Sequence, residues 1–274
     1  MKPFCYFFDI DGTMIGDISM QVYEWDLVAK YDPAKMQQFK KNVCAQLASG
    51  ILRPGLSVFM DFLKQRHSHD GCEFYIYTAS DTKWANFIVS CIETVIGRKF
   101  NRPLFTRPQC IQQSDQSFSK SLHRIMPTVI KKLKQQYGAE FDQNDLKSRF
   151  VLFDNNRVLE KGEDNKLILC PTYNFSEVSD ILRLFSEEVL HANFLSISNY
   201  LKSHGLFPNV NNDDTLSYMI FKAIYYSYLG KHIKEIIKMN QYKDTFWTTL
   251  GNQMYGLPHL LKDSNIKAIN QAMK

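Results

Sequence analysis

The chain has 274 residues, 45% of them hydrophobic and 22% charged, a length and balance that bury a full core and exclude a disordered protein. Lys and Arg exceed Asp and Glu by 33 to 28, giving a net charge of +5 and an isoelectric point near 8.7, a mild excess that suits an anionic substrate. Six scattered cysteines without C-x-x-C spacing read as reduced core residues, excluding a disulfide frame or a zinc site. The start has no signal-peptide pattern and no apolar run reaches membrane-spanning length, so the expected location is cytoplasmic or nuclear, off the membrane.

In chain order, Phe4 to Phe8 is a nearly continuous apolar run that reads as a buried strand. Its polarity breaks at Asp9-Ile10-Asp11-Gly12-Thr13, where a strand of an open α/β sheet presents side chains to a ligand. Two carboxylates there can hold a divalent cation, or attack phosphorus and move a proton; the plainer alternative is an Asp-Gly turn. Residues 14–31 leave flap and short helix open. Asp32 as N-cap and Pro33 at the first turn, then Met36, Phe39, Val43 and Leu47, predict a helix.

Arg53-Pro54-Gly55-Leu56 then leads an amphipathic helix carrying Val58, Phe59, Phe62 and Leu63. A second strand, Phe74 to Tyr77, runs into Thr78-Ala79-Ser80, hydroxyls able to donate to a phosphoryl oxygen. A strand over Leu104-Phe105-Thr106 precedes Arg107, and Lys120 precedes a Lys-rich helical segment, Ile125 to Tyr137. Phe150 to Phe153 is a further buried strand, ending in Asp154-Asn155, with an Asx-turn as the alternative. Lys166 to Cys170 reads as the last strand, and Ser176 to Leu190 as a helix packing back on the sheet. Beyond lie helices over Phe194–Leu201, Leu216–Leu229 and Ile233–Met239, a tail around Ile266, and a linker from Phe207 to Asp214 with Asp213 or Asp214 as a cap. Tyr218, Phe221, Tyr225, Tyr226 and Tyr228 have the spacing of core packing rather than of a peptide groove.

Asp9-x-Asp11-Gly12-Thr13 after a hydrophobic strand resembles the first motif of the haloacid dehalogenase superfamily. With Arg53-Pro54-Gly55-Leu56, Tyr77-Thr78-Ala79-Ser80, Leu104-Phe105-Thr106-Arg107 and Asp154-Asn155 in this order, residues 4 to about 175 are similar to the NLI-interacting-factor-like phosphatases of the RNA polymerase II carboxy-terminal repeats. The resemblance implies an α/β fold, Rossmann-like and doubly wound around a mainly parallel sheet, over residues 1–190. Residues 191–274 form a helical accessory region.

It further implies a Mg²⁺-dependent phosphatase in which Asp9 is the nucleophile, Asp11 the acid and base, and Thr78 and Lys120 the phosphoryl-oxygen ligands. Asp9, Asp11 through its main-chain carbonyl, Asp154 and Asn155 are the expected metal ligands; Thr13, Ala79 and Arg107 join Thr78 and Lys120 in binding substrate. Lys120 matches the family's Lys-Asp-Leu segment, with Ser121 in place of the acid; Lys131, Lys132 and Lys147 are the other lysines able to serve. The implied substrate is phosphoserine or phosphothreonine in a protein. A nucleotide or polynucleotide-end phosphatase, a small-metabolite phosphatase and an inactive adaptor share the same motifs and stay open.

Overall fold

The computed structural model describes residues 2–138, 146, 148–177, 179–207, 217–240, 243–255, 257 and 263–273. The chain forms β1 (Phe4–Phe8), α1 (Ser19–Tyr31), α2 (Met36–Gln46), α3 (Leu56–Arg66), β2 (Cys72–Ile76), α4 (Thr82–Ile96), β3 (Ile111–Gln112), β4 (Phe118–Ser119) and α5 (Leu122–Tyr137). It continues through β5 (Phe150–Asp154), β6 (Leu167–Leu169), α6 (Glu187–Ser203), α7 (Tyr218–Met239), α8 (Phe246–Tyr255) and α9 (Asp263–Ala272). These elements fall into two compact units. One comprises Met1–Gly16, Leu52–Tyr173 and Asp244–Lys274, the other Asp17–Ile51 and Asn174–Lys243. The boundary expected at residue 190 falls inside α6 and therefore inside the second unit.

The first unit is built on a parallel sheet ordered β2-β1-β5-β6. Side chains alternate across the sheet with period two. Cys5 and Phe7 face one side, in a core with Tyr75, Phe150 and Leu152 under Val129 and Leu133 of α5. Phe8 meets the other side, where the Trp247 ring lies 5.9 Å from Phe8, 5.6 Å from Phe153 and, stacked, 5.0 Å from Phe59 of α3. Helices therefore cover both faces, as all-parallel sheets require. The Lys-rich segment is part of this layer: α5 buries Leu122, Ile125, Met126, Val129 and Leu133 and exposes its lysines. The β6 edge is closed by Asn270 of α9, whose amide accepts from the Leu169 N–H (2.9 Å) and donates to the Leu167 carbonyl (2.8 Å). One side chain thus replaces a missing strand.

Several sequence expectations give way to tertiary context. Leu104 to Thr106 is no full strand but a single bridge, Phe105 to Tyr77, after which Thr106 and Gln109 form a capping box. Ser176 to Leu190 holds a short turn of helix, Ile181–Leu184, and the start of α6. That start is set by Ser186, whose hydroxyl accepts from the Val189 N–H. The two helices expected around Gly230 are one, α7, because an exposed glycine weakens a helix without ending it. Ser217 caps it. The linker residues 208–214, including the candidate caps Asp213 and Asp214, and Val178 and Lys147 lie outside the described residues. Residues 19–31 resolve to a helix, and Asp32 precedes the next turn without a side-chain cap bond.

The second unit packs α1 on α2 and on α6, and α6 on α7, around Leu27, Val28, Phe39, Val43, Ile197, Leu201, Phe221 and Tyr225. Tyr225 is core, as its spacing implies, and its hydroxyl accepts from the Ile181 N–H at 3.0 Å. Glu24 of α1 is buried there with the Ser179 hydroxyl as donor. Burial raises its carboxyl from the usual 4.5 to about 7, the Ser179 bond opposing and the Asp180 charge adding to the rise. A raised carboxyl pKa stabilises the fold below the unfolded value, and that stabilisation is lost as pH rises through the folded value. We expect the stability of this unit to fall by roughly 3 kcal/mol between about pH 4.5 and 7. Hydrogen exchange of α1 and α6 amides should show this fall, and Glu24→Gln should flatten it; an unchanged slope in the variant would assign the effect elsewhere.

Candidate active site

The chain runs from β1 to β2 on one side and later reaches β5 on the other, which places a topological switch at the carboxyl end of β1. Asp9 leaves β1 there, its N–H donating to the Phe153 carbonyl at 2.9 Å, and Asp154 ends β5 alongside. The Lys120 Nζ lies between them and donates to Asp9 Oδ1 and Asp154 Oδ2, both at 2.6 Å. All three side chains are buried. Burial works against the Lys120 charge, but the Asp9 and Asp154 carboxylates outweigh it and hold the ammonium well above its ordinary value. Lys120 is therefore charged at every physiological pH. Burial pushes the Asp154 carboxyl upward, with Lys120 opposing and Asp9 reinforcing the rise. Two carboxyl groups thus share one ammonium.

Lys120 is delivered there by its main chain. Its N–H donates to Val158 at 2.7 Å and its carbonyl accepts from Glu160 at 3.0 Å. The next residue, Ser121, caps α5 by accepting from the Arg124 N–H, a task that the acid of the resembled segment could also perform. The Tyr77 ring underlies the ammonium, 5.7 Å from Nζ. Its hydroxyl accepts from Ser121 N–H and donates to the Gln109 carbonyl, both at 3.0 Å. Burial pushes this phenol up to about 12, so it stays protonated. Of the alternative lysines, Lys131 and Lys132 lie on α5, which begins after Lys120.

On the other side of β1, Thr78 follows β2 and its Oγ1 accepts from the Ser80 N–H at 3.2 Å. Accepting through a lone pair leaves the hydroxyl proton for another partner. Ser80 Oγ donates to Asp11 Oδ2 at 2.6 Å. Thr13 Oγ1 accepts from Asn155 N–H at 2.9 Å and donates to Asn155 Oδ1 at 3.2 Å. Gly12 takes φ +72 in this turn, which favours glycine, and a Cβ on it would stand 2.7 Å from Asn155 Nδ2 and displace that side chain. Ala79 offers its carbonyl to Arg107 Nε at 2.8 Å, and Arg107 N–H reaches the Ser80 carbonyl at 3.1 Å. The Arg107 guanidinium also faces the Phe118 ring at 5.4 Å. Arg107 thus braces the Thr78–Ser80 turn while its side chain stays exposed.

The donor set fits a hard divalent cation by its chemistry. Asp9, Asp154 and Asn155 and the Asp11 carbonyl supply oxygen only. Among the described residues no group of three or more His, Cys, Asp and Glu is arranged to hold a metal. A site of two carboxylates with amide and carbonyl oxygens instead suits Mg²⁺, which keeps several waters.

Sequence reading assigned no part to residues 244–255, yet they support this site. The Arg53 side chain is 0% exposed and meets Asp244 through two bonds, Nε to Oδ1 at 3.0 Å and Nη2 to Oδ2 at 2.8 Å. Its Nη1 points to the Thr13 carbonyl at 3.4 Å, and the Phe246 ring lies 4.3 Å from the guanidinium. Arg-Pro-Gly-Leu marks Arg53 in sequence, but no local signal identifies a partner 191 residues away.

The profile of the NLI interacting factor-like phosphatase family matches residues 4–205, and the chain belongs to that family. Its fold is α/β, a parallel sheet flanked by helices. Among solved structures the chain is similar to Fcp1, an essential RNA polymerase II CTD phosphatase, at 17% identity with a TM-score of 0.35, over 98% of this chain and 79% of that one. It is also similar to an arginine variant of the fission yeast Fcp1 bound to beryllium fluoride, at 17% identity, TM-score 0.36 and the same coverage. No match was found among curated proteins.

Breaking a buried ion pair strands a charge and costs about 3 kcal/mol or more. We expect Asp244→Ala to lower the urea-unfolding free energy by about 3 kcal/mol, against less than about 1 kcal/mol for Asp61→Ala, which removes an exposed pair with Arg98. Equal effects would show that Arg53 does not depend on Asp244.

Proposed function

We propose that this protein is a Mg²⁺-dependent phosphatase of the haloacid dehalogenase type, working through an aspartyl-phosphate on Asp9. The observation that carries this reading is the Lys120 ammonium held 2.6 Å from both Asp9 and Asp154 at the switch point of the sheet. An anion attacks an anion only where cations offset their repulsion, and a buried charge does so more strongly than an exposed one.

In the first step an Asp9 oxygen attacks phosphorus in line. The bond from phosphorus to the ester oxygen breaks, its electron pair goes to that oxygen, and Asp11 supplies the proton. In the second, water attacks the aspartyl-phosphate, Asp11 takes the water's proton, and Asp9 leaves as a carboxylate. The Thr78 hydroxyl and Lys120 hold the phosphoryl oxygens, Thr13 and the main chain at Ala79 complete the cradle, and Arg107 lies at its outer rim. Asp9, the Asp11 carbonyl, Asp154 and Asn155 would hold Mg²⁺, which when bound supplies charge neutralisation for the transferring group.

The substrate we infer is phosphoserine or phosphothreonine within a protein, as the resemblance of the motifs implies; the family name itself specifies a phosphatase. A cytoplasmic or nuclear setting accords with this substrate; among the described residues no helix is long and apolar enough to cross a membrane.

The test combines metal removal with loss of the nucleophile. Chelation should stop turnover of nitrophenyl phosphate and added Mg²⁺ should restore it. Asp9→Asn should lower kcat by at least about a thousandfold in a protein that stays folded, Lys120 keeping Asp154 as its partner. Full activity in metal-free protein, or a milder Asp9→Asn defect, would contradict the proposal. A phosphoserine peptide should be turned over with a higher kcat/KM than a nucleotide or an oligonucleotide 5′-phosphate; the reverse preference would move the substrate class to nucleic acid.

A further inference from the structure

Ser80 lies in the hydroxyl-rich turn after β2, one of the hydroxyls that the sequence offers to a phosphoryl oxygen, but the proposed chemistry gives that task to Thr78 and leaves Ser80 without a part. Its main chain is fixed on both sides, by the Thr78 hydroxyl accepting from its N–H at 3.2 Å and by the Arg107 N–H on its carbonyl at 3.1 Å. The side chain is therefore delivered from a held backbone, and it places Oγ 2.6 Å from Asp11 Oδ2. That separation is a short O–H to carboxyl hydrogen bond. Asp11 itself sits in the turn Asp11-Gly12-Thr13-Met14-Ile15, held by Gly12 N–H to the Ile15 carbonyl at 2.9 Å and Ile15 N–H to the Ile10 carbonyl at 3.1 Å. Main-chain bonds fix the Cα of Asp11 but leave its side-chain rotation to be decided by contacts. The Ser80 bond engages one of its two oxygens and so constrains the rotation of the carboxyl group.

We propose that Ser80 is a positioning residue that aims the Asp11 carboxyl group at the leaving oxygen, so that the protein can cleave alkyl phosphates such as phosphoserine. This inference rests on the function proposed above. A proton must reach the departing oxygen most where that oxygen is a poor leaving group. A nitrophenolate leaves without help, whereas a serine alkoxide does not. Misaiming the acid therefore penalises the second substrate selectively, while a merely structural defect would lower both alike. The Thr78–Ser80 turn then has two linked tasks: Thr78 faces the phosphoryl oxygens and Ser80 orders the acid.

The experiment uses the Mg²⁺-loaded full chain as wild type, Ser80→Ala and Ser80→Thr, with a phosphoserine peptide and nitrophenyl phosphate as substrates. The readout is kcat/KM, which reports the steps up to departure of the ester oxygen and not the later hydrolysis common to both substrates. Losing this hydrogen bond should lower kcat/KM on the peptide by about tenfold in Ser80→Ala. On nitrophenyl phosphate the loss in kcat/KM should be less than about twofold, protonation of the leaving oxygen being dispensable there. Ser80→Thr, which keeps the hydroxyl, should recover most of the peptide activity. Equal losses on the two substrates, no loss on the peptide, or a Ser80→Thr variant as impaired as Ser80→Ala would overturn the positioning role. The proposed function fails separately, by wild-type turnover that persists in Asp9→Asn; Asp9-dependent wild-type turnover with equal Ser80→Ala losses removes only the role of Ser80.

Discussion

One ammonium serving two buried carboxylates organises this molecule. Lys120 touches Asp9 and Asp154 at 2.6 Å each, and the three groups arrive from three different places: the end of β1, the end of β5, and the residue before the cap of α5. Placing ionised groups in a low-dielectric interior is costly unless geometry and further hydrogen bonds offset it. The surroundings supply both. The Lys120 main chain is bracketed by Val158 and Glu160, the Tyr77 ring lies beneath the ammonium, and Asp154 Oδ1 accepts from the Asn156 N–H at 2.8 Å. In the proposed function the oxygens of this cluster would help to hold Mg²⁺, which would offset the charge of the phosphate.

The same constraint explains which parts of the site were legible in sequence. Asp9, Thr78 and Asp154 stand where apolar β runs turn polar, and parallel strands bring such ends to one edge of the sheet. Gly12 was visible for a related reason, since its positive φ beside Asn155 favours glycine. Lys120 was legible from its segment, although its two partners lie 111 and 34 residues away. Ser121, where the resembled pattern has an acid, caps α5, a local role that either residue type fills.

What escaped the sequence was settled by long-range contacts. Phe246–Tyr255 has no motif and was not assigned a helix, yet Phe246, Trp247, Leu250 and Met254 are buried in the first unit. Asp244 completes Arg53 across 191 residues. Ser176 to Leu190 carries an apolar helical pattern, but the Ser186 cap starts its helix late and its residues belong to the second unit. Arg107 was expected at the substrate and is found bracing Ala79 and Ser80 from an exposed position. A guanidinium has donors for both tasks. The second unit itself is assembled from segments 17–51 and 174–243, an arrangement that no composition shift announces.

Chemical capture of the covalent intermediate reaches the core of the account most directly. Borohydride reduces an acyl phosphate to the alcohol, so quenching the protein during turnover and mapping its peptides by mass should reveal homoserine at position 9. The same treatment without substrate should leave Asp9 intact. Homoserine at another aspartate, or none in protein caught while hydrolysing a phosphoserine peptide, would contradict Asp9 as the group that Lys120 and Asp154 are arranged to serve.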